Sequence, residues 1–133
     1  MKKAFRILLA AATAVCLLCL AGCSKYSSGF TAVGCVHSNT AHSAFLNFAH
    51  FQGHMVFTLK RQNGTGSQMK ASAKLGTGSA TVYYDDGEKK ELFSLGAGEE
   101  LDSVFGPFES ETVYIIVETM EKCTDGAFRF DME

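Results

Sequence analysis

The chain has 133 residues, 12 Lys and Arg against 14 Asp and Glu, and a formal net charge of −2. That length holds one domain with a modest core. Lys2, Lys3 and Arg6 all precede residue 23, so the remainder carries nine basic side chains against all 14 acids, a net of −5, and nucleic acid is excluded as the natural partner of such a surface.

The first 22 residues read as a targeting segment rather than as part of the fold. A basic head (Lys2, Lys3, Arg6) precedes an uncharged run from Ile7 to Leu20. At 14 residues the run is shorter than the roughly 18 or more that a spanning helix needs. Leu20, Ala21, Gly22 and Cys23 follow. This tetrad resembles, position by position, the lipobox of bacterial lipoproteins. The resemblance implies a diacylglyceryl group on the Cys23 thiol, cleavage between Gly22 and Cys23 by the lipoprotein signal peptidase, and acylation of the new amino group with a fatty acid such as palmitate. It implies a cell-envelope location outside the cytoplasm, on the plasma membrane of a one-membrane cell or, since Ser24 is not the aspartate that retains some lipoproteins on the inner membrane, on the outer membrane of a two-membrane cell. A thiolate is a strong nucleophile, and two acyl chains hold a protein where one holds it only marginally. Cys16 and Cys19, spaced Cys-x-x-Cys, fall inside the apolar run and read as small hydrophobes.

Residues 23–40 are expected to be the lipidated cysteine and a Ser/Gly-containing tether, and residues 41–133 the folded domain. Cys35 and Cys123 are the other two cysteines after the targeting segment. Disulfides persist outside the cytoplasm, so a Cys35–Cys123 bridge is expected, worth about 4.5 kcal/mol at most by the chain-entropy model. Two buried thiols are the rival reading.

From residue 43 the pattern is alternation of period 2 rather than helical periodicity. It runs through "SAFLNFAHF" (43–51), "HMVFTLKRQ" (54–62), "SQMKASAKL" (67–75), "SATVYY" (79–84), "EKKELFSL" (88–95) and "AFRFDM" (127–132). In "ETVYIIVETM" (111–120) a continuous apolar run from Val113 to Val117 predicts a strand covered on both faces. Asn63-Gly64, Asp86-Gly87 and Asp125-Gly126 sit between such runs and supply the positive φ of tight hairpins. Gly53 reads as a turn or a bulge. Seven to eight short strands predict an all-β fold, an antiparallel β-sandwich or jelly roll. Strand count and acidic turns give residues 42–133 a loose resemblance to the jelly-roll carbohydrate-binding modules, without a specific motif.

No catalytic motif is present: there is no Gly-x-Ser-x-Gly elbow, phosphate loop or His-Glu-x-x-His, and neither an enzyme nor a cofactor is expected. All four histidines lie between residues 37 and 54. If Gln52-Gly53 were a turn, His50 and His54 could approach each other as metal ligands, although zinc needs three or four. Asp85, Asp86 and Glu88 offer hard oxygens to calcium without the EF-hand spacing. Tyr83 and Tyr84 point to opposite faces of one strand, so one of them is a candidate platform for a sugar ring. All 14 acids follow Tyr84, while residues 24–84 hold Lys25, Lys60, Arg61, Lys70 and Lys74, a polarity that suits either cross-strand pairing or an acidic docking face. The sequence therefore predicts a membrane-anchored, non-catalytic binding or interaction module whose partner is an envelope protein or a glycan. A carbohydrate or wall-fragment binder is the first alternative and a metal-binding lipoprotein the second.

Overall fold

The computed structural model describes residues 26–62 and 67–133. The targeting segment, Cys23 and the Asn63-Gly64 turn lie outside these residues. Among the described residues, eight antiparallel strands form the fold: β1 Gly29–Val33, β2 Val36–Asn39, β3 Ser43–Lys60, β4 Met69–Lys74, β5 Ala80–Asp85, β6 Lys89–Leu95, β7 Glu100–Phe105 and β8 Thr112–Met132. The expected all-β sandwich class is what the chain adopts.

Two long strands organise the whole. β3 has 18 residues and β8 has 21, and they pair along nearly their full length, Ser43 opposite Asp131 and Lys60 opposite Thr112. Halfway along, their register shifts: Phe51 faces Cys123, but Gly53 faces Thr119. β8 thus carries Met120, Glu121 and Lys122 against Gln52 alone, and a bulge of this kind bends the pair. The bend divides one continuous hydrogen-bonded sheet into two layers. The front layer joins β2, the first half of β3, the second half of β8, β4 and β7. The back layer joins the second half of β3, the first half of β8, β5 and β6, with β1 beside β3 at the bend.

The alternation read from sequence decides which side chains meet between the layers. Leu46, Phe51, Phe57, Leu59, Met69, Val82, Val113, Ile115, Val117, Phe128 and Phe130 are all but inaccessible. Phe130 of the front layer lies 6.4 Å, centroid to centroid, from Phe57 and from Phe93 of the back layer, and Phe93 stacks at 5.8 Å on Phe105 of β7. Each large apolar side chain removed from water in this way contributes about 1.5–3 kcal/mol.

Four expectations change. The two runs at 43–51 and 54–62 are one strand, and of the two readings of Gly53 (φ 124°), turn or bulge, the bulge is the one that holds. A Cβ at Gly53 would sit 2.3 Å from the Gly29 carbonyl oxygen and 2.7 Å from Phe30 Cα, so β1 crosses too close for any side chain. Asp125-Gly126 is likewise a local distortion within β8, with Asp125 at φ 51°, and no hairpin. Residues 29–39, expected in the tether, form β1 and β2, so the folded part begins before residue 41. Cys35 and Cys123 are free thiols. Cys35 sits between β1 and β2, both partners of β3, while Cys123 lies on β8 beyond β3. Strands are spaced about 4.8 Å apart, so one intervening strand separates the two by more than the roughly 7 Å a bridge can span.

Candidate functional site

The outward side chains of the front layer line up in rungs across its strands. The upper rung is Ser43, Asp131, Lys70 and Val104. The middle rung is Ser38, Phe45, Arg129, Ser72 and Asp102. The lower rung is Val36, Asn47, Ala127, Lys74 and Glu100. Period-2 alternation forces this: in β4, Met69, Ala71 and Ala73 are buried and Lys70, Ser72 and Lys74 are exposed.

Ser72 and Ala127, in the middle of the face, are small, and their neighbours Phe45, Arg129, Lys74 and Asp102 are large. The result is an open groove of about 820 Å³ lined by Phe45, Asn47, Ser72, Lys74, Glu100, Asp102, Ala127 and Arg129. Both charge signs alternate across it. Arg129 Nε donates to Asp131 Oδ2 at 2.9 Å, and the Ser43 hydroxyl donates to Asp131 Oδ1. Partial burial raises the Asp131 carboxyl, but the Ser43 and Arg129 hydrogen bonds and the nearby Arg129 and Lys70 charges outweigh it, and the group titrates below its ordinary value. Asp131 is thus an anion at neutral pH that holds the Arg129 side chain by its Nε at the edge of the groove. Chemically, the face offers donors (Arg129, Lys74, Asn47, Ser72), acceptors (Asp102, Glu100, Asn47) and one half-exposed aromatic ring, Phe45.

The residues singled out from sequence lie elsewhere. Tyr83 and Tyr84 do point to opposite faces, but of the back layer. Tyr83 carries the Lys89 ammonium 4.5 Å above its ring. Tyr84 packs edge-on against Phe108 at 5.5 Å, beside a small cleft of about 240 Å³. His50 and His54 are not brought together: they lie on one extended strand, four residues and roughly 13 Å apart. His50 Nδ1 is buried without a hydrogen-bond partner, and the His54 ring lies over Gly29. His37 meets the Phe30 ring edge-on at 6.2 Å, and His42 Nδ1 lies 2.9 Å from the Lys60 carbonyl. No group of three metal-ligating side chains occurs among the described residues.

The acidic hairpin is also spoken for. Asp85 is 2 % exposed, accepts the Tyr26 hydroxyl at 2.5 Å and accepts the Gly87 N–H at 2.8 Å. Asp86 accepts the Glu109 N–H at 3.2 Å, and its carbonyl accepts the Ser110 hydroxyl. The Asp86 oxygens fasten the hairpin to the loop before β8, while Asp85 ties it to Tyr26. The groove residues Phe45, Asn47, Ser72, Asp102 and Arg129 were not distinguished by sequence reasoning. The available signal was Phe45, an aromatic on the face opposite Leu46 and Phe48.

The fold and this face define a two-layer antiparallel β-sandwich with a groove across the outside of one layer. No family model matches the chain, and no curated protein does. Solved structures with a similar course include TmCBM61 in complex with β-1,4-galactotriose, at 14 % identity and TM-score 0.47, over 68 % of this chain and 70 % of that one. A CBM4 structure matches at 14 % identity and TM-score 0.41, over 85 % and 83 %. A variant of CBM29-2, a family 29 carbohydrate-binding module, complexed with mannohexaose, matches at 16 % identity and TM-score 0.40, over 79 % and 80 %.

Proposed function

We propose that this protein is a non-catalytic, lipid-anchored module of the bacterial cell envelope that binds a glycan chain along the front-layer groove. The observation that carries the reading is the middle rung. It sets the ring of Phe45 in one outward row with Arg129, Ser72 and Asp102, all four lining the groove. A sugar ring presents an apolar C–H face to an aromatic ring and vicinal hydroxyls around its edge. Paired hydroxyls suit a carboxylate that accepts two hydrogen bonds and a guanidinium that donates two. The mixed charge of the groove favours a hydroxyl-rich ligand over one with a large net charge of either sign. The anchor rests on Leu20-Ala21-Gly22-Cys23.

The test is a glycan array followed by calorimetry on the glycans retained. Phe45→Ala and Asp102→Asn are each expected to weaken binding about tenfold or more, the loss of one good contact of about 1.4 kcal/mol, while Tyr83→Ala leaves it unchanged. Absence of any retained glycan, or equal affinity in Phe45→Ala, overturns the reading.

A further inference from the structure

The described chain opens with Tyr26, three residues after Cys23. Tyr26 does not hang free of the domain. Its hydroxyl donates to Asp85 Oδ2 at 2.5 Å, and its ring meets Tyr114 edge-on at 5.4 Å between centroids. Two residues on, the Ser28 hydroxyl accepts the Val56 N–H at 2.8 Å, and at Gly29 the chain enters β1. Residues 26–28 are therefore strapped to the back layer. Asp85, Tyr114 and Thr58 are register partners pointing outward there, so Tyr26 lies on its outer face, beside the β5–β6 hairpin. The groove opens on the outer face of the other layer.

Chain length then limits the anchor. Three residues reach at most about 11 Å, so an acylated Cys23 stays close to Tyr26. Paired layers are about 10 Å apart before side chains are added, which puts the groove on the far side of the domain. Resting on the lipid-anchor reading above, we infer that the outer face of the back layer, at its Tyr26 and β5–β6 end, is the surface that meets the phospholipid bilayer, and that the groove opens away from the membrane. The chemistry of this end fits headgroup depth. Tyr26, Tyr83 and Tyr114 are partly exposed, and tyrosine rings favour the membrane–water interface. Lys89 and Lys90 are exposed beside them, but so are Glu88 and Glu91. Net charge is therefore not the source of the pose. The acyl chains, the short strap and the tyrosines set it.

The chain contains no Trp, so a single introduced indole reports its own depth. The full chain, matured and lipidated in cells, is reconstituted into vesicles of phosphatidylcholine and phosphatidylglycerol with brominated acyl chains. Tyr83→Trp reports the back layer, and Val104→Trp, on the front face and 50 % exposed, reports the groove side. Tyr83→Trp should be quenched at least threefold more strongly than Val104→Trp. Adding Tyr26→Ala, which releases the strap, should bring the two toward equality. Equal quenching without Tyr26→Ala, or stronger quenching of Val104→Trp, overturns the orientation. A difference that survives Tyr26→Ala overturns the role of the strap. Vesicle flotation separates the two readings: failure to float removes the lipid anchor and this inference with it, whereas flotation with equal quenching removes the orientation alone.

Discussion

Asp131 shows how one residue can set the chemistry of a surface without dominating its stability. Its folded carboxyl titrates below the unfolded value of about 3.9. The stabilisation this provides is complete above that value and disappears as pH falls through the folded one. The Arg129 and Asp131 side chains are 62 % and 33 % exposed, so the pair contributes only about 0.5 kcal/mol. Asp131→Asn should therefore lower the unfolding free energy by about that amount from pH 7 down to about pH 4, and the difference should vanish in more acid solution. Urea titrations at a series of pH values check it. Loss of the carboxylate also frees Arg129, so glycan affinity should fall by more than stability does. The contribution of Asp131 could not be read from sequence, because Ser43 lies 88 residues away along the chain.

At the scale of the elements, the bend in β3 and β8 does the most. It depends on Gly53, whose N–H donates to Thr119 Oγ1 at 3.0 Å, and on the absence of a Cβ where β1 crosses. Gly53→Ala would force a methyl into backbone atoms 2.3 Å away at a φ of 124°. The expected cost is about 3 kcal/mol or more, since backbone strain and steric displacement add. It should appear as a lower urea midpoint at unchanged slope. The neighbouring loss of register would also tilt the two halves of β3, so a gain in stability would show that the bend is not what holds the layers apart. β7 is an instructive omission from the strands predicted by sequence. Its inward residues Leu101, Ser103 and Phe105 are only half-buried at the sheet edge, so the alternation of "ELDSVF" is too weakly apolar to register as a strand.

Across the whole molecule, the core is expected to stand without a covalent staple. Cys123 is fully buried, with Sγ 3.3 Å from the Ser79 carbonyl, and Cys35 is half-buried. Burial raises both thiols. For Cys123, the Ser79 hydrogen bond opposes this and the Glu121 charge adds to it. Reductant should therefore leave the unfolding midpoint unchanged, and both cysteines should react with a thiol reagent more slowly than free cysteine at pH 7. A drop in midpoint on reduction, or a native mass 2 Da below the sum of free thiols, would restore the bridge.

Fold class and most of the core were legible in the chain's local pattern, because side-chain alternation is a local property of an extended chain. Leu46, Phe57, Val82, Val113 to Val117, Phe128 and Phe130 announce themselves as apolar runs within a few residues of one another. The Asp86-Gly87 hairpin was legible for the same reason. Asp125-Gly126 was not, and Gly53 was legible only as a turn or a bulge, because the two demand the same positive φ and only the partner strand distinguishes them. Tertiary structure alone decided the groove. Phe45, Ser72, Asp102 and Arg129 come from four strands spread over 85 positions, and each is unexceptional in its own stretch. Which outward faces lie side by side depends on how distant strands pair, and pairing depends on the long-range bend between β3 and β8, which no local pattern encodes.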